Sequence, residues 1–458
     1  MFRTCELSGL RHLPDDRAGP PARYRCQVVA LFADVSPLRH SRDFRRLWTG
    51  QTISAMGSQL TLVALAYQTF HLTHSTFMVG LLGFVGLVPL LAGSLWGGTL
   101  ADAWDRKRML TLTQFAMAIA VGGLAVNAAL DHPEVWVLFV CAAASAGFQG
   151  MDWPARRAAL PMLVSDEDVT AAVTLQTTTM ALSTVVGPAV GGVLIARLGL
   201  TPVYLIDVAT YAVSLSVLLL PRLVPSGGGT PMGLRSMAEG FRHLKGERLL
   251  SATYLIDLNA MIFGMPRAVF PALAVHLYGG GAGVVGLLYA APGAGALVGS
   301  LVTGWTSRIR HQGRAIAACV VVWGGTIAVF GVVPVPWVGL ALLAVAGAAD
   351  VISAVFRQNV QQRAVPDHLQ GRLSGTFFAV VAGGPRLGDL ETGVAAAIGG
   401  PEFAVWSGGL ACVVGVGILL WRVPELWADD GGGRPISAAD REEAVAEAIS
   451  ELNEGEPL

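Results

Sequence analysis

What most constrains this chain is a length that repeats. Twelve apolar runs follow one another between charged, Pro-bearing or Gly-bearing breaks, at 47–70, 77–101, 109–130, 134–154, 171–196, 202–221, 249–275, 283–306, 315–333, 337–356, 374–397 and 404–422. Each has about the twenty residues that a helix needs to cross a hydrocarbon layer of about 30 Å. A segment in lipid must satisfy its own backbone polar groups, which leaves helices and closed barrels, and the alternating pattern of a barrel strand is absent. The fold class expected is therefore an all-α integral membrane protein with twelve spans. Composition agrees: 53% of the 458 residues are hydrophobic and 14% are charged, against about 25% charged in soluble domains. The five cysteines are scattered without CxxC spacing, so no disulfide framework and no metal site is expected.

Orientation follows from Lys and Arg, which concentrate on the cytoplasmic side. With both termini inside, 28 of the 31 basic residues fall in cytoplasmic segments, Arg197 falls outside, and Arg267 and Arg386 fall within spans. The outward loops at 71–76, 131–134 and 399–403 hold no Lys or Arg. Residues 1–42 read as a mobile, basic cytoplasmic extension without the apolar core of a signal peptide, and 426–458 as an acidic cytoplasmic tail. Between the six spans of 43–222 and the six of 249–425, the stretch 223–248 runs from a Gly-rich hinge into an amphipathic helix at the membrane surface.

The two sets of six echo each other. VGLL at 79–82 returns at 285–288, and GSLWGG at 93–98 is answered by GSLVTG at 299–304, both at a shift of 206. GPAVG at 187–191 is answered by GPRLG at 384–388, a shift of 197. A duplicated membrane unit places its binding site near the midplane, between the copies. Gly187, Pro188, Gly191 and Gly192 form a face that lets backbones approach; because the pattern recurs in span eleven, it is read first as packing.

Between spans two and three the apolar pattern stops for GGTLADAWDRKRML, residues 97–110. Gly98, Leu100, Asp102, Arg106 and Lys107 stand where the loop signature of the major facilitator superfamily has its own residues, with Ala103 and Asp105 departing from it. Six plus six spans and a long central link point the same way. With PARRAALP at 154–161 and GPAVGG at 187–192, the chain most resembles multidrug and siderophore exporters of the enterobactin-exporter type. The resemblance, which covers about 43–425, implies two pseudo-symmetric six-helix halves, and an antiporter-type role for the glycine motif of span five. It implies that Asp102 and Arg106 help to fasten the halves on the cytoplasmic side, with Asp152, Arg156 and Arg157 as gate partners. The simpler reading of Arg106, Lys107 and Arg108 is an anchor to anionic headgroups, worth about 1 kcal/mol each.

Ionisable residues inside spans cost about 2.5–3.5 kcal/mol on insertion scales and so point to function. Asp207, Asp257, Arg267, Asp350, Arg386, Asp389 and Glu391 qualify. At 1.5 Å per residue, Asp257 and Asp350 fall roughly 12 and 18 Å into spans seven and ten, near the midplane. The resemblance puts spans one, four, seven and ten around the cavity, so Asp257, Asp350, Arg267 and Gln59 are the candidates to meet substrate or proton. Gln51, Gln68, Trp48 and Tyr67 are further cavity candidates in span one. Structural pairing competes: Arg386 and Asp389 share a helix face and can neutralise each other, Glu391 needs another partner or a proton, and Arg267 or Arg386 can hold Asp257. Asp207, near the outer end of span six, can snorkel to the surface. CAAASAGFQG at 141–150 lacks the Arg that many proton antiporters carry in span four.

The expectation is a secondary transporter, not an enzyme, since no P-loop, strand-borne GxGxxG or HExxH occurs. It exports a drug-like or siderophore-like molecule by alternating access, needs no cofactor beyond a proton gradient, and acts as a monomer among membrane lipids without nucleic acid. A metabolite importer or a lysophospholipid flippase of the same fold is the alternative. A non-transporting sensor is the different class, and the dispersal of the nine His speaks against it.

Overall fold

A computed structural model of the protein describes residues 3–4, 27–28, 34–103, 106–218, 248–364 and 367–428. Most of the extension 1–42, nearly all of the link 223–248 and most of the tail 426–458 lie outside the described residues. Apart from a two-residue antiparallel pairing of Arg3–Thr4 with Gln27–Val28, the described structure is helical. The first group comprises α1 (Ser36–His40), α2 (Arg42–Thr73), α3 (Thr76–Val85), α4 (Leu87–Ala103), α5 (Arg106–Ala128), α6 (Val135–Ala159), α7 (Val169–Leu198) and α8 (Leu200–Leu218). The second comprises α9 (Arg248–Phe263), α10 (Phe270–His276), α11 (Ala282–Leu301), α12 (Gln312–Phe330), α13 (Pro336–Ala364), α14 (Asp367–Gly399), α15 (Pro401–Arg422) and α16 (Pro424–Ala428).

Among the described residues nine helical stretches are long and apolar enough to cross a membrane. The other expected spans fall on α2 and α14, which carry more polar residues, and on α8, whose apolar part Leu200–Ser216 is shorter. Local signals set the ends. The Ser41 hydroxyl accepts from the Phe44 amide at 3.1 Å and starts α2, while Gly199 and Gly400, at φ of 84° and 91°, stop α7 and α14.

The repeated sequence motifs do the same job twice. Gly93 of α4 lies against the backbone of Gly147 in α6, and its counterpart Gly299 of α11 lies against the backbone of Ala348 in α13. Gly187 and Gly191 of α7 lie against Gln59 and Leu60 of α2, as Gly384 and Gly388 of α14 lie against Met261 and Ile262 of α9. Any side chain at these places would drive two rods apart.

The two groups meet along two seams, α3 against α14 and α7 against α11. Gly192 faces Gly286, and Gly80 faces the backbone of Asp389 and Gly393. Each of these positions lies within about three turns of the same end of the bundle, the one that carries the short connections at 74–75, 199 and 400.

Span seven is not one rod. Pro266 has no amide to give, so α9 stops at Phe263 and the chain resumes as a 3-10 turn, Arg267–Val269, before α10. The freed carbonyls find donors on neighbouring helices: the Trp323 indole gives to Gly264 at 2.7 Å, and the Tyr289 hydroxyl gives to Arg267 at 3.0 Å. Interrupted helices at membrane depth occur where they border a cavity.

At the opposite end α1 is tied to the start of α7, with Ser36 Oγ giving to Asp168 at 3.2 Å and His40 Nδ1 lying 3.0 Å from the same carboxylate. The Ser36 amide, and then its hydroxyl, hold the exposed Asp34 carboxyl below the usual carboxylate range. The first turn of α1 is therefore supported above the unfolded value of Asp34 and loosens as pH falls through the lowered folded one. Asp168→Ala is expected to release α1, read as faster amide exchange over Leu38–His40 with exchange in the middle of α7 unchanged. Equal exchange in both proteins would show that the tie carries no stability.

Candidate substrate cavity

A cavity of 390 Å3 lies between the two groups of helices. Leu62, Leu65, Val79, Leu82, Val121 and Leu124 make one wall apolar, whereas Arg267, Arg386, Asp389 and Tyr289 bring polar groups from the second group. A second cavity of 280 Å3 shares Ser58, Met117, Gln149 and Tyr211 with the first. It runs toward the N-terminal end of α2 past Trp48, Gln51 and Gln59, and past Asp152 and Arg156. Together they form a passage from mid-bundle toward the end away from the glycine seams.

Arg267 sits on the interrupted segment and Asp389 on α14, and their Nη2 and Oδ2 atoms are 3.5 Å apart. Asp389 thus has a closer partner than Arg386, the same-helix cation expected for it, though the two still attract each other. Arg386 reaches instead across the seam to the Gly83 carbonyl at 3.3 Å, and Gly86 leaves the space its guanidinium fills. Glu391 does not line the cavity; the Thr392 hydroxyl gives to it at 3.4 Å.

Asp257 and Asp350 are brought together, but away from both cavities. Arg357, on α13, stands between them, its Nη2 atom 2.9 Å from Asp257 Oδ1 and 3.5 Å from Asp350 Oδ1. Its Nη1 gives to Ser353 at 3.0 Å. The partner of Asp257 is thus neither Arg267 nor Arg386. Sequence reasoning missed Arg357 because the apolar run ends at 356, whereas the helix continues to Ala364; its spacing of seven from Asp350, two turns on one face, was the available signal.

Asp207 is fully buried, at 0% exposure, which overturns the snorkelling expectation. Its carboxylate accepts from the Thr61 hydroxyl of α2 and from Thr210, and Gly57 makes room for it. Gln68 is buried too, accepting from the Tyr204 hydroxyl at 2.7 Å rather than facing the cavity, and Tyr67 stacks on His71. Where span four lacks an Arg, Gln149 faces both cavities. Asp152 is buried near Thr113, which gives to it at 3.0 Å, and pairs with Arg156 one turn on. In the loop motif Asp102 belongs to the last turn of α4, and Arg106 and Lys107 open α5. The surroundings of Gly98 and the side chains of Asp102, Arg106 and Arg157 lie outside what is described.

Residues 32–447 match the family described as transmembrane secretion effector, of the major facilitator superfamily. The chain belongs to that family. Among similar proteins is the enterobactin exporter EntS of Citrobacter koseri, 30% identical over 388 residues that cover 84% of this chain and 93% of the exporter. EntS of Escherichia coli O157:H7 is 28% identical, covering 87% and 98%. Solved structures share the fold. A bacterial homologue of the human lysosomal transporter Spinster, inward-facing and unoccupied, has a TM-score of 0.63 at 15% identity, covering 85% of this chain and 96% of that one. A POT family transporter has a TM-score of 0.68 at 11% identity, covering 84% and 97%. The protein is a multi-pass transporter of the inner membrane and not an enzyme.

Proposed function

We propose that the protein exports a drug-like or siderophore-like small molecule by alternating access, driven by inward flow of protons. The observation that carries this reading is the passage itself: a mid-bundle cavity flanked at one end by close-packed glycine seams and continued toward the other by a second cavity. In this proposal α2, α8 and α14 also cross the membrane, giving twelve spans in halves 43–222 and 249–425 with both termini cytoplasmic. The seams then form the outer gate, and Asp102, Arg106, Asp152, Arg156 and Arg157 belong to the inner one. Similarity to two enterobactin exporters supports the outward direction.

For the proton, the cluster of Asp257, Arg357 and Asp350 is the proposed carrier. Two carboxylates share one guanidinium, so the cluster is neutral with one proton and carries a single negative charge without it. The Asp257 side chain is 7% exposed and that of Asp350 36%, and Asp350 is the proposed point of proton entry.

Energised inverted vesicles should accumulate a toxic compound to which a null mutant is hypersensitive, and a protonophore should stop this. Continued accumulation with the gradient collapsed would remove proton coupling. Asp257→Asn and Asp350→Asn are each expected to lower gradient-driven accumulation by at least about ten-fold, on the scale of 1.4 kcal/mol, with the protein still folded by size exclusion. Full activity in both would take the cluster out of the mechanism.

A further inference from the structure

The two guanidiniums at the 390 Å3 cavity have more to give than the protein takes. Arg267 and Arg386 together present ten N–H donors, and the acceptors seen for them among the described residues are Asp389 and the Gly83 carbonyl. Arg267 Nε is buried without a hydrogen-bond partner, as is one acceptor on the same wall, Asp389 Oδ1; the count of donors still exceeds that of acceptors. A buried guanidinium donor left unmatched in a cavity wall points to an acceptor that arrives from outside. The charges agree: two cations and one carboxylate meet at this wall, and the other carboxylate at the cavity, Asp207, is occupied on the far side by the hydroxyls of Thr61 and Thr210. Facing them is the apolar wall of α2, α3 and α5.

We infer that the cavity takes a small amphipathic acid, its acidic group on Arg386 and Arg267 and its apolar body against Leu65, Val79 and Leu124. This deepens the export reading and rests on it for the cavity's role. A volume of 390 Å3 suits a compact ring system and not a two-chain lipid. Arg386 is the better anchor of the two. Asp389 attracts both guanidiniums, but its hydrogen bond goes to Arg267 whereas that of Arg386 goes to a neutral carbonyl, and paired hydrogen bonds to a planar acid are what guanidinium provides and an ammonium does not.

The test uses the full chain in lipid nanodiscs and three fluorescent probes of one shape: naphthoate, naphthalenemethanol and naphthylmethylamine, each titrated against empty discs. Naphthoate is expected to bind at least about ten-fold more tightly than the alcohol, as one charge-assisted contact allows, and the amine more weakly than either. Arg386→Gln should erase the preference for the acid while weakening the alcohol far less than the acid, with folding checked separately by size exclusion; Arg386→Lys should keep part of the preference. Equal affinities for acid and alcohol, or a preference that survives Arg386→Gln, would overturn the inference. Accumulation of either probe in energised inverted vesicles keeps the two ideas apart. Pumping without acid preference would sink the acid site and spare export, and an Arg386-dependent acid site without pumping of any probe would do the reverse.

Discussion

Arg357→Leu is expected to yield little or no folded transporter. The substitution leaves Asp257 and Asp350 inside the bundle without the cation that both of them face, and breaking a buried pair by removing one partner costs about 3–5 kcal/mol. Against a total stability of about 5–15 kcal/mol, that is a large share. The companion variant is the informative one. Replacing all three residues by neutral ones, Asp257→Asn, Asp350→Asn and Arg357→Leu together, should restore monodisperse protein in detergent, because no unpaired charge remains, yet gradient-driven accumulation should stay lost. If Arg357→Leu alone ran as a stable, monodisperse species, the three residues would not be the mutually dependent unit described above.

Gly192→Leu should give the opposite kind of defect, a folded protein that does not cycle. A Cβ there meets the Ala282 carbonyl and the Gly286 backbone of α11, in the seam that joins the two groups of helices. Overpacking costs about 1–3 kcal/mol, which as a bias between open and closed seams is roughly 5–150-fold. The penalty vanishes once the seam parts, so the fold survives and the closed form loses population. A Cys placed at Ser75, in the turn before α3, should react faster with an impermeant maleimide in this variant than in its parent, while transport falls. Gly97→Leu is the contrast: Gly97 lies against Met151 within one group, where nothing in the cycle parts the helices, so its cost should appear as lost folded yield. Unchanged labelling at position 75 and full transport by the Gly192 variant would show that the seam does not open.

Hydropathy and charge placed the helices because both report the cost of moving residues between water and lipid, which is local and additive. Side-chain partners are neither. From sequence, Arg386 and Asp389 look made for each other at a spacing of three, yet Asp389 meets Arg267 from an interrupted segment 122 residues earlier. Nothing in the local pattern announced that the span containing Pro266 would break there, although proline with Gly264 beside it was a reason to look. Arg357 was lost for a related reason: an apolar run ends where hydrophobicity ends, and this helix carries a buried cation past that point. The repeats told more than their letters. Gly192 and Asp389 occupy equivalent places, each at a shift of 197, and both press on a glycine of the other group, Gly286 or Gly80. One half thus keeps a bare backbone at the seam where the other has installed a carboxylate.

The break in span seven divides that rod into two pieces. Asp257 belongs to the lower piece, and Arg267 rides on the connector between the pieces, whose carbonyls hang from Trp323 on α12 and Tyr289 on α11. A shift of either neighbouring helix therefore tugs the connector sideways and re-aims the guanidinium, while the lower piece keeps its register. Traffic between whatever occupies the cavity and whatever charge resides on Asp257 would pass through an indole and a phenol, so aromatic side chains that touch neither passenger become the places where the two could be uncoupled.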